Sequence, residues 1–293
     1  MPALALPFGI AFAGGGIRGA AHVGVLLALE EHGLVPSAVA GTSAGGLVAG
    51  LYAAGLPPAQ MRQIILELSH SGASFADPDL KGILSIIPNL LKKKSCVNCA
   101  GLIKGDRMEN YMCRLTGGIH LRELPMRTII PAVDLISSHT VAFTNCLFGI
   151  RPTPSVRWYT NARLSEAMRA TASLPGIFRP KIIDDMVLVD GGVADVLPVD
   201  LLIASGCLNV LAVDVSDRYR MPERIDLPSV ISHSLAIMET RLRECMTRGE
   251  RLLLNPVLPE TTGVLALDEM PACMEAGYAS AMQVMPQLRA LFQ

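Results

Sequence analysis

What this sequence has least of is charge. Only 17% of its 293 residues are Asp, Glu, Lys or Arg, and these nearly cancel to a formal net charge of -1. A chain so close to neutral carries no basic footprint for a phosphate backbone, so no nucleic-acid partner is expected. Aromatic residues are scarce too, at 4%, yet hydrophobic residues reach 51% and mean hydropathy is +0.41. That aliphatic richness excludes disorder and calls for a large core, an apolar binding surface, or both. No apolar run reaches the roughly 20 residues needed to span a bilayer. The longest, Ala3 to Ala13, is broken by Pro7, has no Lys or Arg ahead of it, and runs into a glycine triplet. It reads as a buried first strand, not an export signal. The compartment expected on that basis is the cytoplasm, with peripheral attachment to a membrane left open.

A disulfide framework is also missing. The cysteines are seven, an odd number at irregular spacing: Cys96, Cys99, Cys113, Cys146, Cys207, Cys245 and Cys273. Cys96-Val97-Asn98-Cys99 is a lone Cys-x-x-Cys with only Cys113 nearby, short of the second ligand pair that a structural zinc site needs. The role of Cys96 and Cys99 stays open.

No internal repeat and no long Ser, Gly or Pro linker divides the chain, so one domain over 1–293 is expected. Periodicity predicts strands at Phe8 to Ala13, Ala38 to Gly41, Thr128 to Asp134, Thr140 to Phe143, Lys181 to Val189 and Val210 to Val215. It predicts helices at Ala20 to His32, Gly45 to Ala54, Pro58 to about Ser69, Ala162 to Ala172, Val199 to Ala204, Ser229 to Arg248 and Asp268 to Leu291. Alternation of this kind implies an α/β fold, a mostly parallel central sheet flanked by helices on both faces. Two stretches stand apart. Residues 72–104 break the pattern, and 83–94 set Ile83, Leu84, Ile86, Ile87, Leu90 and Leu91 against Lys92-Lys93-Lys94. That composition suits a lid or a membrane-facing insertion, and equally an amphipathic helix whose lysines complement its dipole. Residues 216–293 are expected to form a C-terminal helical and strand extension.

Three pieces carry chemistry. Gly41-Thr42-Ser43-Ala44-Gly45 has the Gly-x-Ser-x-Gly spacing of a nucleophile elbow at a strand-to-helix turn. The turn crowds its own backbone, so Gly41 and Gly45 stand where a Cβ would not fit. A serine that merely caps the helix is the plainer alternative. Gly14-Gly15-Gly16-Ile17-Arg18-Gly19 lies between the first strand and first helix. Amides converging there can hold an oxyanion, with Arg18 either adding charge or forming a surface ion pair. The same run matches the dinucleotide fingerprint, but that needs an acid at the end of the second strand. Here Glu30 and Glu31 lie in the preceding helix. Asp190-Gly191-Gly192 follows an apolar strand, which aims an aspartate into the crevice at the strand ends; alone it could be just a turn.

Taken together, Gly-Gly-Gly-x-Arg-Gly with the following His22-Val23-Gly24-Val25-Leu26, then Gly-Thr-Ser-Ala-Gly, then Asp-Gly-Gly, resembles the patatin-like phospholipases. Ala172 to Phe178 resembles the family's stretch ahead of its aspartate. The resemblance covers roughly residues 7 to 215. It implies a lipid acyl hydrolase with a Ser43–Asp190 dyad, an oxyanion hole from Gly14, Gly15 and Gly16, and neither metal nor organic cofactor.

The histidines agree with a dyad. Of His22, His32, His70, His120, His139 and His233, none follows an Asp-bearing strand in the order a triad would require. The expected function is therefore a serine hydrolase of lipid acyl esters, of phospholipase A or lysophospholipase type, meeting lipid through its substrate and peripherally through 83–94. The alternatives are a non-catalytic lipid-binding or adaptor protein on the same fold and, more remotely, a dinucleotide-binding protein. Head group, acyl position, chain length and oligomeric state are not legible.

Overall fold

The computed structural model describes residues 7–71, 77–79, 101–216, 227–246, 249–259 and 266–293. The basic stretch 83–94, Cys96 and Cys99 fall outside them, as does most of the 72–104 segment.

The elements in chain order are β1 (Gly9–Phe12), α1 (Ala20–Glu31), β2 (Ala38–Gly41), α2 (Ala44–Ala53), α3 (Pro58–Ser71), β3 (Gly101–Ile103), α4 (Asp106–Leu115), β4 (Arg127–Asp134), β5 (Thr140–Thr144) and β6 (Val156–Tyr159). There follow α5 (Leu164–Thr171), β7 (Gly176–Phe178), β8 (Lys181–Ile183), β9 (Met186–Asp190), α6 (Val199–Ala204), β10 (Val210–Val213), α7 (Leu227–Met246), β11 (Leu252–Leu254), α8 (Met270–Gln283) and α9 (Met285–Phe292). The main sheet runs β11-β10-β1-β2-β4-β5-β6. From β11 through β4 every pairing is parallel; β5 turns back antiparallel on β4.

The central strands are buried on both faces, and alternate residues feed two separate cores. Ile10 and Phe12 join the large core under α1, α2 and α8, whereas Ala11, Ala13, Ala38, Ala40 and Ala212 meet Val199, Leu201 and Leu202 of α6. This two-sided burial explains why β1, β2 and β10 read as continuous apolar runs. The C-terminal helices share the same core. Cβ atoms built at Gly24 and Gly277 would fall 1.9 and 2.1 Å from the facing helix backbone, so α1 and α8 cross at bare glycines. Phe292 stacks on Phe8, with ring centroids 4.6 Å apart.

Two expected elements are corrected. The run Lys181 to Val189 is a hairpin, β8 antiparallel to β9, because Asp184-Asp185 forms a two-residue turn with Asp184 at φ 52°. The last helix divides at Val284, where Pro286 opens α9.

One pairing positions the site. Strand β4 is flanked by β5 along one edge; along the other it pairs first with β2, up to Ala40↔Ile129, and then with β9, from Ala132↔Asp190. Strand β2 is parallel to β4 and β9 antiparallel, so β2 and β9 run head-on and their C-terminal ends meet at Ile130-Pro131. Pro131 stands in the gap, where its missing N–H costs the sheet no ladder bond. The residues just past the end of β2 and at the end of β9 are Ser43 and Asp190.

Candidate active site

Ser43 occupies the N-cap position of α2 but makes no capping bond with its side chain. Its hydroxyl donates instead to Asp190 Oδ2 at 2.7 Å. The plain capping alternative thus fails on geometry. The backbone is strained as well: Ser43 has φ 53° and ψ −123°, a region that costs a non-glycine residue about 1–3 kcal/mol. Three contacts hold the strain in place. Ser43 N–H donates to Thr171 Oγ1 at 3.0 Å, Leu47 N–H closes the helix on Ser43 O at 3.1 Å, and the Thr42 hydroxyl donates to Asp195 O at 2.8 Å.

The flanking glycines are sterically required. A Cβ on Gly41 would lie 2.2 Å from Gly45 O, and one on Gly45 would lie 2.5 and 2.6 Å from Phe12 O and Ala13 O. All these neighbours are backbone, so none can rotate away. Gly45→Ala is therefore expected to destabilise the fold by about 3 kcal/mol, read as a lower urea midpoint. An unchanged midpoint would show that the elbow has slack.

Asp190 is 2% exposed. Its two oxygens divide the work: Oδ1 accepts Gly192 N–H at 2.9 Å and Oδ2 takes the serine hydroxyl. The turn bond of Asp-Gly-Gly and the bond to Ser43 thus fall on separate oxygens. Asp190 N–H is tied to Ser173 O at 3.0 Å. Burial pushes the Asp190 carboxyl up to about 7; the bonds from Gly192 and Ser43 offset part of this, and the like charge of Glu239 adds to it. Glu239 lies on α7, which packs over the Gly191–Val193 turn.

The glycine loop needs correcting in two places. Gly14 N–H is already committed to Val196 O at 3.0 Å, so it is not free to donate to an oxyanion. A Cβ on Gly14 would rest in ordinary contact with Ser43 Cβ, at 3.4 Å. The N–H groups of Gly15 and Gly16 donate to none of the described residues. Arg18 folds back, with Nε 3.4 Å from Gly15 O, and its charge acts on Glu239 and Cys273. Its charge is turned toward α7 and α8.

Of the described histidine side chains, none is hydrogen-bonded to Ser43 or Asp190. His22 is fully buried, holds Ala13 O through Nε2 at 2.9 Å, and packs on Phe12 at 4.8 Å. Burial lowers it to about 4, so it stays neutral and acts as a post for the end of β1. His32 caps α1 by holding Ala28 O at 2.9 Å. Only the backbone of His233, on α7, is described. Among the described residues no cluster of His, Cys, Asp and Glu could hold a metal, and no helix is long and apolar enough to cross a membrane.

Thr171, Asp195 and Glu239 escaped the sequence reading. Ser173 lies within the Ala172 to Phe178 stretch and Thr171 adjoins it, which was the one available signal. A small pocket beside the dyad is lined by Leu174, Pro175, Val193, Met238 and Leu242, with Asp190 and Glu239 as its acids.

Residues 10–203 match the family model described as Patatin-like phospholipase. An uncharacterised NTE family protein of Mycobacterium tuberculosis is 26% identical over 226 residues, 77% of this chain and 54% of that protein. A protein of Mycosarcoma maydis named Lysophospholipase NTE1 is 29% identical over 210 residues, 72% of this chain and 10% of its own length. The chain thus spans about half the length of the first relative and a small part of the second. Among solved structures, VipD from Legionella pneumophila superposes with a TM-score of 0.53 at 14% identity, covering 97% of this chain and 68% of that one.

Proposed function

We propose that this chain, which belongs to the patatin-like phospholipase family, hydrolyses acyl esters of lipids with Ser43 as nucleophile and Asp190 as its base. The observation that carries this reading is the direct 2.7 Å bond between the Ser43 hydroxyl and Asp190 Oδ2. No imidazole fits between groups already in contact, so the proton passes straight to the carboxylate.

The reaction has two halves. As Ser43 Oγ attacks the ester carbonyl carbon, Asp190 takes its proton. The carbonyl oxygen becomes an oxyanion, stabilised by the amides of Gly15 and Gly16 at the start of the loop leading into α1. Collapse breaks the bond to the leaving alcohol, which carries off the proton from Asp190. Water then attacks the acyl-serine, Asp190 again takes a proton, and collapse releases the fatty acid and restores the Ser43 hydroxyl.

An ordinary aspartate, titrating near 3.9, is too weak a base for this task at neutral pH. Burial removes the difficulty by raising Asp190 to about 7. The fungal relative's name makes a lysophospholipid the first substrate to try.

The test is the pH profile of lysophosphatidylcholine hydrolysis. Activity should rise through about pH 7 as Asp190 ionises, with no second limb from His22, which is neutral throughout. A profile already flat at about pH 5 would remove Asp190 as the base. No hydrolysis of any acyl ester would remove the reading altogether.

A further inference from the structure

The neighbours Asp195 and Val196 tie three parts of the site together. Asp195 N–H donates to Gly191 O at 2.8 Å, in the turn that follows Asp190. Asp195 O accepts the Thr42 hydroxyl at 2.8 Å, beside the nucleophile. Val196 O accepts Gly14 N–H at 3.0 Å, at the head of the glycine loop. The turn of the base, the elbow and the loop therefore share one short stretch of backbone. The side chain within that stretch is poorly served. Asp195 is 3% exposed, and its Oδ1 has no hydrogen-bond partner among the described residues. Burial and the charge of Asp200, at the start of α6, push the Asp195 carboxyl well above the usual carboxylate range; the Leu197 amide offsets part of this. Other charges on neighbouring elements are engaged elsewhere. Asp190 is bonded to Gly192 and Ser43, Asp214 just past β10 pairs with Arg243, and the charge of Arg18 acts on Glu239 and Cys273.

We propose that Asp195 is a positioning residue for the reaction: as the carboxylic acid its side chain keeps this stretch seated, and as the carboxylate it unseats it. A buried carboxylate with an unpaired oxygen, beside a second carboxylate, is relieved only by reaching water. To reach water it must move the backbone that carries it, and with it the supports of Thr42 and Gly14. Ionisation then parts the glycine-loop amides from Ser43. This inference rests on the Ser43–Asp190 hydrolysis proposed above. It adds a falling alkaline limb, which the ionisation of Asp190 does not produce.

The experiment follows lysophosphatidylcholine hydrolysis up to about pH 10, beyond the range where buried carboxyls ionise. The parent should rise through about pH 7, then fall about tenfold per pH unit once Asp195 has ionised. Asp195→Asn, which keeps the uncharged shape, should reach a plateau instead. Asp200→Asn should move the falling limb to lower pH, because Asp195 ionises sooner without the like charge beside it. A merely structural Asp195 would change the height of the profile and leave its limbs in place. A parent without a falling limb, a limb that persists in Asp195→Asn, or one unmoved in Asp200→Asn overturns the inference. A second measurement does not need turnover. In Ser43→Ala, protection of the Gly14 amide from hydrogen exchange, corrected for the intrinsic rate, should drop at alkaline pH and stay level once Asp195→Asn is added. Absence of turnover at every pH would count against the hydrolase reading alone, and the Gly14 amide would then decide the role of Asp195.

Discussion

Ser43→Ala is expected to lower acyl-ester turnover at least about a thousandfold, because the proposed mechanism forms its covalent acyl intermediate on the Ser43 hydroxyl. Ser43→Gly should lose as much activity while gaining about 1–2 kcal/mol of stability. The contrast comes from the backbone. At φ 53° and ψ −123°, alanine keeps the strain and gives up the bond to Asp190, whereas glycine is released from the strain. The two variants should therefore be equally inactive yet differ in urea midpoint, with glycine above alanine. A serine-directed phosphonate should label the parent at residue 43 and neither variant. If Ser43→Ala kept most of its turnover, the nucleophile would lie elsewhere. If Ser43→Gly were no more stable than Ser43→Ala, the elbow would hold no strain.

The same strain explains why part of the site was readable without coordinates. Gly41 and Gly45 are present because carbonyl oxygens occupy the space a Cβ would need, and that steric demand leaves a mark in the sequence. Asp190-Gly191-Gly192 is marked likewise, since a Cβ on Gly191 would lie 2.4 Å from Pro131 O. What leaves no such mark is strand direction. Periodicity reports that residues 181–189 are extended and apolar, not that Asp184-Asp185 folds them into a hairpin and sends β9 antiparallel to β4. Yet that reversal brings β9 head-on to β2 and joins residues 147 positions apart. The adjacent acids in an otherwise apolar run were the local clue. The contacts of Thr171 and Ser173 were illegible for a different reason: they run through a hydroxyl and a backbone carbonyl, which any helix end could offer. The glycine loop was legible only in composition. Its composition announces free amides, but not that Gly14 would spend its own on Val196 O. The four-residue strand β6 was too short for its period to be seen, whereas α4 was missed although its ten residues equal α2 in length.

The second large effect concerns Asp190→Asn. Asparagine can still accept from Gly192 N–H and meet the Ser43 hydroxyl, so the geometry should survive while the base is lost. Turnover should fall about 10²–10⁴-fold. Stability should move the opposite way, in a manner that depends on pH. The folded-state value of Asp190 is raised from 3.8 to about 7. Below 3.8 both folded and unfolded chains hold the proton, and its burial is uncharged. As pH climbs toward 7 the unfolded chain ionises freely while the native state resists, so the parent loses stability through that window and stays at its lower level above it. A displacement of roughly three pH units corresponds to a cost of order 4 kcal/mol. Asparagine never incurs it. The advantage of Asp190→Asn over the parent should therefore grow between about pH 4 and pH 7, then level off. Asp195 and Asp200 are also pushed up, Asp195 by burial and the charge of Asp200, and Asp200 by burial. They tilt both proteins alike and cancel in the difference. Urea midpoints of the pair across this range decide the matter. An offset that does not change with pH would mean that Asp190 titrates as an ordinary aspartate, and burial would then no longer account for a carboxylate able to take the proton of Ser43.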